Sequence, residues 1–175
     1  MTIPPRLAIA TRNPGKVREF LQICADWPAS WITFRDADWP VVAETGATYV
    51  DNARLKARAV AGEEATDDQN LQLLVDGILD APADRRTARY RCVALCAWPE
   101  GADVWAEATC EGTLVTAPRG SNGFGYDPIF VPLGERRTMA ELPDEEKHRI
   151  SHRGKALRAL GAMLADRSEP PDQPT

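Results

Sequence analysis

Arg6-Leu7-Ala8-Ile9-Ala10-Thr11-Arg12-Asn13-Pro14-Gly15-Lys16 is the stretch from which the chain is best read. Leu7-Ala8-Ile9-Ala10 reads as a short strand that runs into a turn at Asn13-Pro14-Gly15. A helix follows, because Val17, Phe20, Leu21 and Cys24 recur at helical spacing. A strand, a turn and a helix in this order present backbone N–H groups at a helix N-terminus, where an anion is stabilised. Lys16 falls in the first turn. The G-x-x-x-x-G-K-[ST] spacing of a Walker loop is absent, so the turn is a different kind of phosphate candidate.

A second segment has the same flavour. Pro118-Arg119-Gly120-Ser121-Asn122-Gly123-Phe124-Gly125-Tyr126-Asp127-Pro128-Ile129-Phe130 sets three glycines, an arginine, two aromatics and an aspartate between apolar stretches. Glycines let the backbone approach a ligand and adopt positive φ. Phe124 and Tyr126 offer flat faces on which a base can rest. Two readings stay open: a ligand loop, or a tight hairpin whose aromatics are core. Arg119 is open in the same way, as a planar fork for an anion or as a cap on the hairpin. A third segment, Glu145-Glu146-Lys147-His148-Arg149-Ile150-Ser151-His152-Arg153-Gly154, holds both histidines of the chain. His148 reads as a surface residue.

Between these segments, Trp31-Ile32-Thr33-Phe34 reads as a second strand, and Val41-Val42 leads into a loop at Glu44-Thr45-Gly46. A helix is expected over 49–61, with Asp51 near its start and with Asn52 and Lys56 sharing a face. Thr66-Asp67-Asp68-Gln69 resembles a capping box that opens a helix through Leu71, Leu73, Leu74 and Ile78, closed by Pro82. Residues 89–98 and 104–115 read as strands joined at Pro99-Glu100-Gly101. Ile129-Phe130-Val131 is another short strand. Asp144 opens a final helix that carries Ile150, Leu157, Leu160 and Leu164. The expectation is a single domain over residues 1–167 with a disordered, proline-rich tail over 168–175.

The chain has 175 residues, enough for one domain with a real core. No apolar run approaches bilayer length, and the N-terminal residues lack the pattern of a secretory leader. Cys24, Cys92, Cys96 and Cys110 form no C-x-x-C pair. They read as reduced thiols of a cytoplasmic protein, mostly small core residues, and not as a structural zinc site. A net charge of −5 disfavours a nucleic-acid binder. An anionic substrate would then need local cations. Of the 21 basic residues only four are lysines, at positions 16, 56, 147 and 155. A chain that otherwise uses arginine and keeps Lys16, Lys56 and Lys147 points to compact ammonium groups at those places.

Six ordered segments resemble the Ham1-like family of inosine/xanthosine triphosphate pyrophosphatases. They are residues 10–16, 44–46, 52–57, 86–92, 118–130 and 140–154, so the resemblance covers nearly the whole chain. It implies an α/β fold with a long central mixed sheet flanked by helices, in two lobes with a cleft between them. It implies a homodimer that uses Mg²⁺ and cleaves the α–β phosphate bond of ITP, dITP or XTP, giving a monophosphate and pyrophosphate. By motif, Thr11, Asn13 and Lys16 would hold the triphosphate, and Lys56 would add a catalytic ammonium. Phe124, Gly125, Tyr126 and Asp127 would line the base pocket. Lys147, His152 and Arg153 would complete the purine and phosphate contacts, and Glu44 would be the metal ligand. No nucleic-acid or membrane partner is implied.

One family segment is missing. Family members continue from the helix that ends here at Ala59 into a strand bearing Asp-Asp-Ser-Gly, whose aspartate binds metal and activates water. A second strand, ending in a Ser-Ala-Arg-Tyr-like run, comes next. Here Ala59 passes almost directly to Val60-Ala61-Gly62-Glu63-Glu64. Asp67 and Asp68 read as the cap of the next helix, not as a replacement. With Ala43 before it, Glu44 is a lone carboxylate, and Mg²⁺ would lean on the substrate phosphates. Either the chain is a deletion variant with weak activity or none, or the sequence lacks a segment that the working protein has. The alternative function is an impaired nucleotide-binding or dimerisation module without a general base.

Overall fold

A computed structural model describes residues 3, 5–9, 11, 13–36, 67–98 and 103–166. The Glu44 loop, the helix expected over 49–61 and the tail at 168–175 lie outside the described residues. In chain order the elements are β1 (Arg6–Ala8), α1 (Pro14–Ile23), β2 (Ser30–Ile32), α2 (Asp67–Ile78), β3 (Thr87–Ala97), β4 (Asp103–Leu114), β5 (Phe130–Pro132), α3 (Asp144–Ile150) and α4 (His152–Asp166). Short 3₁₀ turns occupy Ala83–Arg85 and Asp127–Ile129. The result is a mixed α/β fold: a parallel β1–β2 pair, and a sheet in the order β3-β4-β5 whose β4–β5 pairing is antiparallel. The chain divides into two compact units, residues 1–39 with 89–110 and 145–175, and residues 40–88 with 111–144.

In the first unit α1 carries the chain from β1 to β2, which pair with Leu7 opposite Trp31. The helix starts at Pro14, within the turn that the sequence suggests at Asn13-Pro14-Gly15. Asn13 is extended, Pro14 takes the first helical position, and the Asn13 side chain accepts from the Lys16 N–H at 3.0 Å. Along β3 exposure alternates strictly, with Tyr90, Cys92, Ala94 and Cys96 turned inward and Arg91, Val93 and Leu95 outward. The small inward residues Ala94, Cys96 and Ala106 leave room for Leu157, Leu160 and Leu164 of α4, and Cys24 closes the cluster. All four cysteines are free thiols. Burial pushes the Cys24 thiol up to about 12, so it behaves as a small apolar residue.

In the second unit the end of β4 pairs with β5, Gly112 opposite Pro132 and Leu114 opposite Phe130. A side chain at Gly112 would overlap Val131 O and the Phe130 ring, so the strand needs glycine there. Ile129, Phe130, Thr138, Met139, Ala140 and Leu142 are the buried residues around this pairing.

Two sequence expectations need correction. The final helix is two helices, because Ser151 ends α3 and caps α4. Its N–H donates to Lys147 O, while its Oγ accepts from the Gly154 N–H at 3.1 Å. Leu21 of α1 and Leu73 of α2 lie on the apolar spacing but are exposed. Those helices bury narrower stripes than their sequences suggest.

Candidate functional site

The first unit gathers Lys16, Lys147, His152 and Arg153 around a residue that the sequence reading passed over. Glu19, one turn after Lys16 on α1, is 2 % exposed. Its Oε1 accepts from Lys147 Nζ and its Oε2 from Arg153 Nε, each at 2.5 Å. Both partners come from the far end of the chain, on α3 and α4. Burial alone would raise the Glu19 pKa, but Arg153 and Lys147 hold it below the usual carboxylate value. Glu19 therefore stays ionised and fixes an ammonium and a guanidinium in place.

His152, at the first position of α4, is buried, and its ring stacks on Tyr90 of β3 with centroids 4.7 Å apart and planes 17° apart. Arg153 Nη1 lies 3.3 Å from its Nε2. Burial comes first and the nearby Arg153 second in pushing the imidazole down to about 3, so it is neutral at physiological pH. Lys16 contributes to that push and also acts on Cys92, whose thiol burial raises. Among the described residues the cluster thus holds three cations, Lys16, Lys147 and Arg153, against the one carboxylate of Glu19. That surplus suits an anion.

Thr11 and Asn13 build the turn that places Lys16. The Asn13 N–H donates to Thr11 Oγ1 at 3.3 Å, and the Asn13 side chain caps the helix. Pro14 has no N–H, and the Val17 N–H donates to Asn13 O. The cap thereby consumes most of the helix N-terminal donors that the sequence suggested for an anion.

In the second unit the glycine-rich run is a loop of three positive-φ glycines, Gly120 (82°), Gly123 (80°) and Gly125 (60°). Gly120 lies so close to the Ala140–Glu141 backbone that any side chain would collide with it. Asp127 is buried, and its Oδ2 accepts from the Phe124 N–H at 2.9 Å. Its carboxylate thus closes the Phe124–Asp127 turn, while Phe124, Gly125 and Tyr126 are half-buried. Arg119 is a brace. Its Nη2 donates to Arg136 O, its Nε lies 3.5 Å from the Glu141 carboxylate, and Thr138 Oγ1 donates to Arg119 O. The capping reading of Arg119 is the one the structure favours. His148 Nε2 lies 3.0 Å from Gln22 Oε1, packing α3 on α1.

Glu44 and Lys56 lie outside the described residues. Among the described residues no group of three or more His, Cys, Asp and Glu side chains is placed to hold a metal ion.

A mixed α/β protein with a cationic cluster at a capped strand–turn–helix is the class defined by these features. The Ham1 family model matches residues 7–64 and 59–163, and the chain belongs to that family. It is 41 % identical over 195 residues to a dITP/XTP pyrophosphatase of Streptomyces coelicolor, covering 92 % of this chain and 98 % of that one. It is 39 % identical over 188 residues to a dITP/XTP pyrophosphatase of Geobacillus kaustophilus, covering 88 % and 91 %. A solved Ham1 protein from Coxiella burnetii matches with a TM-score of 0.73 at 30 % identity, over 92 % of this chain and 98 % of that one. The two family matches overlap at residues 59–64. An alignment of 195 positions that takes in 92 % of 175 residues spans residues of the relative with no partner here.

Proposed function

We propose that the chain is a nucleoside triphosphate pyrophosphatase acting on noncanonical purine nucleotides, ITP, dITP and XTP, releasing a monophosphate and pyrophosphate. The observation that carries this reading is the pairing of Lys147 and Arg153 with buried Glu19, close to Lys16, in a chain whose relatives bear the name dITP/XTP pyrophosphatase. Phosphoryl transfer is mostly positioning and charge stabilisation. Preorganised cations serve that purpose without reorganising during the reaction. Lys16 and Lys147 take phosphate oxygens, with Thr11 and Asn13 shaping the turn and Lys56 adding an ammonium. Phe124, Gly125, Tyr126 and Asp127 serve the base.

His152 and Arg153 supply the choice of base. A 6-oxo purine offers an acceptor where adenine offers a donor. A site of donors satisfies the first and leaves a buried group unpaired with the second. Mg²⁺ is proposed as the cofactor, carried mainly on the triphosphate with Glu44 as a single protein carboxylate. A homodimer is proposed as well. Val93, Leu95 and Trp105, each more than half exposed on β3 and β4, are the apolar surface that such an interface would cover. Among the described residues no helix is long and apolar enough to cross a membrane, and the proposed compartment is the cytoplasm.

The test is incubation with ITP, dITP, XTP, ATP and GTP in the presence of Mg²⁺, with pyrophosphate release and nucleotide binding measured together. Release from the 6-oxo nucleotides ITP and XTP well above that from ATP supports the proposal. Binding without release would assign the chain a nucleotide-binding role instead.

A further inference from the structure

We propose that Tyr90 is a positioning residue that holds His152 as the neutral tautomer protonated on Nδ1. The inference deepens the reading of His152 as a contact for the base and rests on it. Three observations lead to it. An arginine guanidinium only donates. Where Arg153 Nη1 meets His152 Nε2 at 3.3 Å, that nitrogen must therefore accept, and the ring proton sits on Nδ1. Nδ1 is buried and has no hydrogen-bond partner among the described residues. It is a donor that the described residues leave unmatched, and an oxo group of a purine has the matching acceptor. A 6-amino group would set N–H against N–H.

What keeps the imidazole in this state is its surroundings. Tyr90, inward on β3, covers one face of the ring at 4.7 Å and almost parallel to it. That contact excludes water from the face and fixes the ring plane. The charged groups that act on the ring are Arg153, Lys147 and Lys16, all cationic, and Glu19. Their balance, together with burial, opposes a second proton. Removing the Tyr90 ring would hydrate the imidazole and free it to turn, so that Nδ1–H and Nε2–H forms would mix.

The experiment is long-range ¹H–¹⁵N NMR of the imidazoles across pH 4–8. It uses the full chain and the variants Tyr90→Phe, Tyr90→Leu and Tyr90→Val. The chain has only two histidines, and His148→Gln assigns the signals. In the parent and in Tyr90→Phe, His152 is expected to show the Nδ1–H pattern throughout, with no titration above about pH 4.5. In Tyr90→Leu or Tyr90→Val, whichever folds by circular dichroism, the pattern should become mixed and the midpoint should move up toward 6.5. The ratio of kcat/KM for ITP over ATP should fall ~10- to 100-fold through KM, with Tyr90→Phe keeping it. An unchanged His152 tautomer and titration in a folded variant without the ring overturns the proposal, whatever the turnover. The expected spectra in a parent that turns over no ITP support the positioning role and defeat the functional reading instead.

Discussion

Glu19 carries more of the site than any residue that the sequence singles out. In α1 it stands three residues after Lys16, and a charged residue there reads as solvent-facing. Its partners Lys147 and Arg153 lie 128 and 134 positions further along, and no local pattern announces such a meeting. Breaking a buried ion pair from one side leaves the other charges uncompensated, typically at about 3–5 kcal/mol. Glu19→Gln should therefore lower the urea midpoint sharply and raise KM for ITP, since Lys147 and Arg153 lose their anchor. A variant as stable as the parent would show that the two cations are held by other groups.

The same cluster makes stability depend on pH, and both of its titrating groups act in one direction. Glu19 has a lowered pKa in the fold, so its contribution is present above the ordinary carboxylate value and is lost as pH falls through the folded one. His152 is held neutral down to about 3 against an ordinary 6.5. The unfolded chain takes up that proton first, so stability declines as pH drops below 6.5. The slope is up to ~1.4 kcal/mol per pH unit for one group. Thermal melts should thus begin to fall near pH 6.5 and steepen below 4.5. His152→Gln should flatten the upper part of that curve; a melt profile with the parent's slope between pH 6.5 and 5 would assign the proton uptake elsewhere.

Among the elements, the cap of α1 was legible because it is local. Asn13, Pro14 and the apolar positions after them carry the start of the helix in sequence. The strand β3 was legible as a strand, while its alternation, with Tyr90, Cys92, Ala94 and Cys96 at every second position, emerges from the structure. The break at Ser151 was not, because the apolar spacing of Ile150, Leu157, Leu160 and Leu164 runs across it. The break is fixed by a hydroxyl cap and by a backbone approach: a side chain at Gly154 would overlap His148 O. Ser151→Ala should cost about 1 kcal/mol, the usual loss for an N-cap, read by chemical denaturation. Gly154→Ala should cost more, because α3 and α4 must move apart. Since Lys147 sits on one helix and Arg153 on the other, both variants should also weaken ITP binding, and Ser151→Thr should keep it. Equal ITP affinity in folded Gly154→Ala would show that the break does not set the distance between the two cations.

For the whole molecule, the missing segment decides how far the cluster can go toward catalysis. Relatives carry residues within the alignment that this chain lacks, and the family match divides at residues 59–64. On the proposed function, the described binding residues would not depend on that segment. Glu19 holds Lys147 and Arg153, Tyr90 stacks on His152, and Lys16 lies near them, all on elements that are present. On the proposed function, and with the resemblance placing the water-activating aspartate in that segment, the water-activating side would depend on it. Attack on the α-phosphorus needs a positioned water, and a carboxylate base contributes typically 10²- to 10⁴-fold. Asp127, one described carboxylate assigned to the substrate, has an oxygen committed to the Phe124 N–H, which suits a loop closure better than a base. We therefore expect a version with a family-like Asp-Asp-Ser-Gly strand inserted after Ala59 to turn over ITP ~10²- to 10⁴-fold faster than the chain as it stands. It should also saturate at lower Mg²⁺, because a second carboxylate would share the ion with Glu44. Binding of ITP should change far less than turnover. Kinetics of both proteins across a Mg²⁺ series, with affinity measured in parallel, decide the matter. Comparable turnover in the two would mean that a residue already present supplies the base, and Glu44 would be the first to replace.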